Sequence, residues 1–253
     1  VKIGGSKDVS MCYMGLISLM GIAEKNVWSL IFKGAFWQEK KMCGRYILYS
    51  DKEERAIKAI VEEVNKKYHT VIKKGDIHPT DLAPVYIPRK DHQGMDLVLK
   101  KWGYTRHFEK KTLLINARSE TVLEKPLFRD DFMNRRCLIP AMGFYEWNEK
   151  KEKFRFTGTE ELIYLGGFFH QQTKGFDEFM IMTKPPVELI APIHNRMPVV
   201  IPADQATDFL YSTKTAIKIS TENRVVLKKE LIQGEKQVSL LDLLADVASP
   251  KEV

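Results

Sequence analysis

From Gly75 onward the chain is a succession of short runs rich in β-branched and aromatic residues, and that rhythm constrains the fold most. The runs cover residues 96–102, 112–115, 136–139, 144–147, 153–156, 162–169 and 179–183, with turn-forming residues between them. Runs of this length are too short for helices that bury a face, and they predict strands. Helical patterns are fewer. Residues 51–67 place Ala56, Ile57, Ile60, Val61 and Val64 on one stripe behind an acidic first turn. Shorter helices are expected over 119–124 and 203–211, and an apolar run over 238–247 predicts a terminal one. The fold class expected is therefore α+β, a curved and mostly antiparallel sheet or open β-barrel with flanking helices.

The first 41 residues read differently. They hold two of the four tryptophans, Trp28 and Trp37, and follow neither a helical nor a strand period. We expect residues 1–41 to be an N-terminal extension, a leader or an over-extended reading frame, and residues 42–253 to be the domain. An apolar stretch over 11–23 follows Lys2 and Lys7 but is too short to span a bilayer. Of the net charge of +7, the extension supplies +3 and the remainder +4. So modest an excess fits either a mild bias towards polyanions or an ordinary solvated surface. Three cysteines, Cys12, Cys43 and Cys137, make neither a disulfide framework nor a metal-binding spacing. The expectations are a reducing, cytoplasmic setting, no metal and no cofactor.

Four segments concentrate unusual chemistry. In Met42-Cys43-Gly44-Arg45-Tyr46, removal of a starting methionine would expose Cys43 with an α-amine and a thiol two carbons apart. Such a pair captures an aldehyde, the amine as a Schiff base and the thiol by closing a five-membered thiazolidine ring. In Asn116-Ala117-Arg118, an amide and a guanidinium two apart share one face of an extended chain, which suits an anionic ligand. The alternative there is a helix N-cap at Ser119 among surface polar groups.

Glu146 lies within the aromatic run Phe144-Tyr145-Glu146-Trp147, where alternation puts it on the face of Phe144. A carboxyl among aromatics is raised in pKa and serves as a general acid, whereas a solvent-facing glutamate is the plainer reading. His194 and Arg196 alternate onto one side of an extended stretch, and a histidine in a loop is otherwise structural or exposed. Trp102, in a basic setting, is either a stacking platform for a base or a core aromatic. Cys137 reads as a small buried hydrophobe.

In chain order, MCGRY at 42–46, LAP at 82–84, KWG at 101–103, NARSET at 116–121, RRCLIPAMGFYEW at 135–147, IMT at 181–183 and IHNRMPV at 193–199 resemble the SOS-response-associated peptidase (SRAP) family. The resemblance runs from about Met42 to Tyr211. It implies a sensor of abasic sites in single-stranded DNA that forms a covalent thiazolidine crosslink through an N-terminal cysteine. On it, Cys43 is the crosslinking residue, Asn116 positions the cysteine and the sugar aldehyde, Glu146 is the acid/base, and His194 assists ring opening and the Schiff-base steps. Arg45, Arg118 and Arg196 hold backbone phosphates, Pro84 and Trp102 line the DNA path, and Thr183 contacts a phosphate. The partner implied is single-stranded DNA bearing abasic sites, met by a monomer away from membranes. Met142 and Asn195 depart from the commoner family residues. The crosslink needs a free amine on Cys43, so the start is expected at Met42, or the extension is removed. Two alternatives stay open: a cysteine-type peptidase using Cys43 and His194, with self-processing as its reaction, and a non-covalent nucleic-acid binder if the extension is retained.

Overall fold

The computed structural model describes residues 44–48, 55–70, 72, 75–106, 112–222 and 225–232, all within the expected domain. Cys43, the whole extension, residues 51–54 and the run at 238–247 lie outside the described residues. The strands in chain order are β1 (Tyr46–Ile47), β2 (Asp76–Ile77), β3 (Leu82–Pro88), β4 (Met95–Trp102), β5 (Tyr104–Arg106), β6 (Thr112–Leu114), β7 (Asn116–Arg118) and β8 (Arg136–Ala141). There follow β9 (Gly143–Trp147), β10 (Lys153–Thr157), β11 (Ile163–His170), β12 (Glu178–Lys184), β13 (Met197–Pro198), β14 (Val200–Ile201) and β15 (Lys228–Ile232). The helices are α1 (Arg55–Tyr68), α2 (Pro126–Asn134), α3 (Ala206–Tyr211) and α4 (Thr213–Thr221).

The sheet closes on itself. β12 pairs with β4, β4 with β3, β3 with β8 and β8 with β11, and β11 returns to β12. All these pairings are antiparallel except β4 with β12. Closure removes the open edges of these five strands. A second sheet, ordered β15-β10-β9-β1-β2, carries the aromatic run that contains Glu146. Close backbone approach at the closing seam requires glycine: a Cβ on Gly167 would sit 2.4 Å from the carbonyl oxygen of Met180.

Alternation sends the two faces of these strands into two cores. Cys137, Ile139, Phe179 and Ile181 join one cluster together with Ile57, Ile60 and Val64 of α1. Leu138, Phe168, Met180 and Met182 join the other, which α2, α3 and α4 cover. Cys137 is wholly buried, and burial pushes its thiol up to about 12, the behaviour of a small hydrophobe.

Buried Arg136 ties the second core together. Its guanidinium donates to the carbonyls of Phe132 and Met133 at the end of α2 and of Phe209 and Leu210 at the end of α3, at 2.7–2.9 Å. It also reaches the Thr213 hydroxyl at 2.9 Å. One cation thus satisfies carbonyls that helix C-termini leave without intrahelical donors.

The expected strands and the 55–67 part of the first helix form with small shifts of boundary. The helix expected over 119–124 is only a 3-10 turn, Ser119–Thr121. Strand β3 was not expected, because Pro84 and Pro88 interrupt its pattern; its pairing to β8 is confined to Tyr86 opposite Leu138, so Pro84 deprives no β8 residue of a partner. Helix α2 was missed despite its signal, Pro126 at the first position and Phe128, Asp131 and Phe132 on one buried face.

Candidate active site

Strand β9 brings Glu146 inward. Its first residue, Gly143, lies so close to β10 that an added Cβ would meet the Phe156 carbonyl oxygen at 2.3 Å. Phe144 and Glu146 then share the inner face, and Glu146 is only 1% exposed, which removes the solvent-facing reading. The outer face carries Tyr145 and Trp147, with the Lys153 ammonium 3.6 Å from the Tyr145 ring centroid.

His194 comes to Glu146 from the loop after β12. Ile190 and Ile193 anchor that loop in the core, and the His194 amide closes a turn onto the Ile190 carbonyl at 3.0 Å. The imidazole is 5% exposed, and its Nδ1 lies 3.9 Å from Glu146 Oε2. That separation is too long for a hydrogen bond and close enough for strong electrostatic coupling. Nδ1 also lies 3.2 Å from both the amide nitrogen and the carbonyl oxygen of Arg196. The amide donates to a bare Nδ1, and a protonated Nδ1 donates to the carbonyl, so the ring has a backbone partner in either state.

Asn116 and Arg118 enter on β7, which runs parallel to β12 with Asn116 opposite Ile181 and Arg118 opposite Thr183. Ala117 between them faces the other core, so the two polar side chains do share a face. Arg118 is exposed. The N-cap reading of Ser119 does not hold: Arg118 flanks the 3-10 turn without a side-chain cap, and the Ser119 hydroxyl donates to Glu120.

Trp102 is wholly buried, stacked on Phe179 at 6.3 Å and tilted against Tyr46 at 5.3 Å. This is the core reading, and it offers no ring face to a base. Its indole N–H donates to the carbonyl of Ile115 at 3.0 Å and so fixes the start of β7, one residue before Asn116. Pro84 and Thr183 are buried too.

Arg45 stands at the rim, a third exposed, with its guanidinium 3.4 Å from Asp76 and 5.4 Å from the Trp147 ring centroid. Its carbonyl accepts from the Tyr145 amide at 3.1 Å. Carried one residue further, that register sets Gly44 across from Glu146, and no described residue would lie within 4 Å of a Cβ there. The described chain therefore enters the site at Gly44, beside the buried acid.

Arg196 is buried and bonded. Its guanidinium meets both carboxylate oxygens of Glu120, at 2.5 and 2.8 Å, and donates to the Thr183 carbonyl at 2.7 Å. The bond from Arg196 holds the Glu120 carboxyl down to about 2. On the other side of β12, burial brings the Lys184 ammonium down to about 8, opposed by Glu222, whose carbonyl it bonds.

Sequence reasoning assigned no role to Glu120, Asp76 or Lys153. Glu120 sits inside the NARSET motif and was within reach. Asp76 was not, because its contact with Arg45 spans 31 residues and depends on the pairing of β1 with β2. Chemically, the arrangement is a buried carboxyl and imidazole able to pass a proton, an amide on a nearby strand, and cationic groups at the rim. Among the described residues no three His, Cys, Asp or Glu side chains converge as a metal site. Nor is any described helix long and apolar enough to cross a membrane.

Comparison with known proteins agrees with this architecture. The family model described as SOS response associated peptidase (SRAP) matches residues 42–235. The abasic site processing protein YoqW of Bacillus subtilis is 29% identical over 191 residues, covering 69% of this chain and 82% of that protein. The abasic site processing protein YedK of Escherichia coli is 25% identical over 179 residues, covering 67% and 79%. Among solved structures, a protein from Bacteroides thetaiotaomicron superposes with a TM-score of 0.61 at 19% identity, over 76% of this chain and 93% of its own. A phage-related protein from Bordetella bronchiseptica gives 0.58 at 20% identity, over 76% and 94%.

Proposed function

We propose that this chain, which belongs to the SOS response associated peptidase family through residues 42–235, processes abasic sites in single-stranded DNA by crosslinking to them through Cys43. The observation that carries the reading is the buried Glu146–His194 pair, set beside the point where the chain enters from Cys43. The relatives named as abasic site processing proteins support the lesion as substrate.

An abasic sugar is mostly a closed hemiacetal; it opens when the anomeric hydroxyl loses a proton, the ring C–O bond breaks and the released ring oxygen takes a proton, and His194 and Glu146 are the pair for those two transfers. The α-amine of Cys43 then attacks the aldehyde carbon. Such an amine titrates at about 7.7–8.0, so a useful fraction is neutral at cellular pH. The C–N bond forms as an amine proton passes to the carbonyl oxygen; Glu146 then protonates the carbinolamine hydroxyl, which leaves as water, and the iminium returns its N–H proton to the Glu146 carboxylate to give the imine. The thiol adds across the C=N bond, sulfur to carbon and its proton to nitrogen, and closes the thiazolidine. Asn116 orients the cysteine and the aldehyde, while Arg45 and Arg118 meet backbone phosphates without reading sequence.

The reading requires Cys43 to be the first residue of the working protein, with residues 1–41 and Met42 removed or never made. Intact mass of the protein expressed from its own gene tests that requirement. Denaturing electrophoresis with abasic single-stranded DNA tests the reaction. A heat-stable shifted band is expected, lost in Cys43→Ala and absent with intact DNA. Binding with no heat-stable band would instead support a non-covalent nucleic-acid module. Cleavage of casein that depends on Cys43 would favour the peptidase reading that the family description carries.

A further inference from the structure

Glu120 stands outside the chemistry just described, yet both its carboxylate oxygens are bonded to Arg196. It lies on the 3-10 turn Ser119–Thr121 with 39% of its side chain exposed. Its partner Arg196 has 11% of its side chain exposed and is bound at three points, both Glu120 oxygens and the Thr183 carbonyl. The guanidinium is thereby held in place, while its buried Nε has no partner among the described residues. What Arg196 does present towards the acid–base pair is its backbone, whose amide and carbonyl both face His194 Nδ1.

We infer that Glu120 is a positioning residue for His194, acting through Arg196. The carboxylate and the Thr183 carbonyl fix the guanidinium from two separate elements, the 3-10 turn and β12. With its side chain fixed, the Arg196 peptide holds Nδ1 and keeps the ring turned towards Glu146 whichever state His194 is in. The resemblance gives Arg196 to a DNA phosphate; the geometry makes it the link between a surface carboxylate and a buried imidazole. A two-point carboxylate contact is specific to arginine, because a lysine ammonium cannot make the same planar fork.

The catalytic consequence rests on the crosslinking reading above, and the structural consequence does not. Two variants, Glu120→Gln and Arg196→Lys, are compared with the wild type in three measurements. The first is affinity for a single-stranded oligonucleotide carrying tetrahydrofuran, which has no aldehyde, at several salt concentrations. The second is the single-turnover rate of crosslinking to a true abasic site. The third is the nitrogen NMR signal of His194 Nδ1 in the free protein.

Glu120→Gln is expected to keep affinity within about twofold and an unchanged salt slope, and both variants are expected to slow crosslinking on the order of tenfold to a hundredfold and to move the Nδ1 signal. Tighter binding with a steeper salt slope in Glu120→Gln would overturn the inference, making Glu120 a competitor of phosphate. An unchanged crosslinking rate in both variants would overturn it as well. If the wild type itself does not crosslink, the proposed function fails and the NMR signal decides: an Nδ1 signal unchanged in both variants would overturn the positioning role on its own.

Discussion

Glu146 and His194, 48 residues apart in sequence, lie with Oε2 and Nδ1 3.9 Å apart and almost no exposed surface between them. One comes from a strand of the smaller sheet and the other from a loop anchored in the closed ring. Substrate binding can tighten such a contact to hydrogen-bond length, and a proton shared by the two is then delivered without water.

Glu146→Gln keeps the shape of the side chain and removes its proton chemistry. Crosslinking is expected to slow by about 10²–10⁴-fold, with affinity for single-stranded DNA nearly unchanged. Single-turnover gels and fluorescence anisotropy check the two parts. A normal rate would remove Glu146 from the acid–base role.

Arg118→Ala takes away an exposed cation on the face that Asn116 shares. Binding is expected to weaken at low salt, and the slope of log affinity against log salt to fall by about 0.7 for the lost phosphate contact. Titrations at several salt concentrations measure it.

Glu120 ties stability to acid pH. Its carboxyl titrates at about 2 in the folded protein, below the ordinary 4.5, so its contribution is present above 4.5 and is lost as pH falls through 2. Wild type is expected to melt above Glu120→Gln at pH 7, and the gap to close between pH 4.5 and 2. The gap is modest because the carboxylate is partly exposed to solvent.

Lys184 acts in the opposite range. Its folded value of about 8 lies below the ordinary 10.5, so between these limits the unfolded chain binds more protons and stability rises with pH. Denaturant midpoints of the wild type are expected to carry this rising contribution from pH 8 to 10.5. In Lys184→Met that contribution is absent, and the difference between the two proteins narrows over the same range.

Arg136→Met fills similar space but leaves the carbonyls at the ends of α2 and α3 without their donor. A loss of about 3–5 kcal/mol is expected, read as a lower denaturant midpoint at unchanged slope.

Much of the sheet was legible because a half-buried strand writes its face into alternate residues. Phe144 and Glu146 read as one face and are one face, and Asn116 and Arg118 likewise. Helix α1 was legible through Ile57, Ile60 and Val64. Strand β3 was not, because two prolines break its local pattern and only the closed ring explains its place. Trp102 is the instructive case. A tryptophan among lysines reads locally as either a stacking platform or a core aromatic, and what decides for the core is Phe179, 77 residues away, and Tyr46, 56 residues before it.

The sequence by itself determined most of the element types, the order of the motifs and the family, since each of these is encoded in short windows of residues. Only the tertiary structure decided which polar groups meet. The Glu146–His194 pair, the Glu120–Arg196 clasp and the Arg136 cap all join residues from different elements, and the worth of the first and the last comes from burial. Burial is a property of the closed sheet and its two cores, where a low dielectric makes every pairing strong and every omission costly.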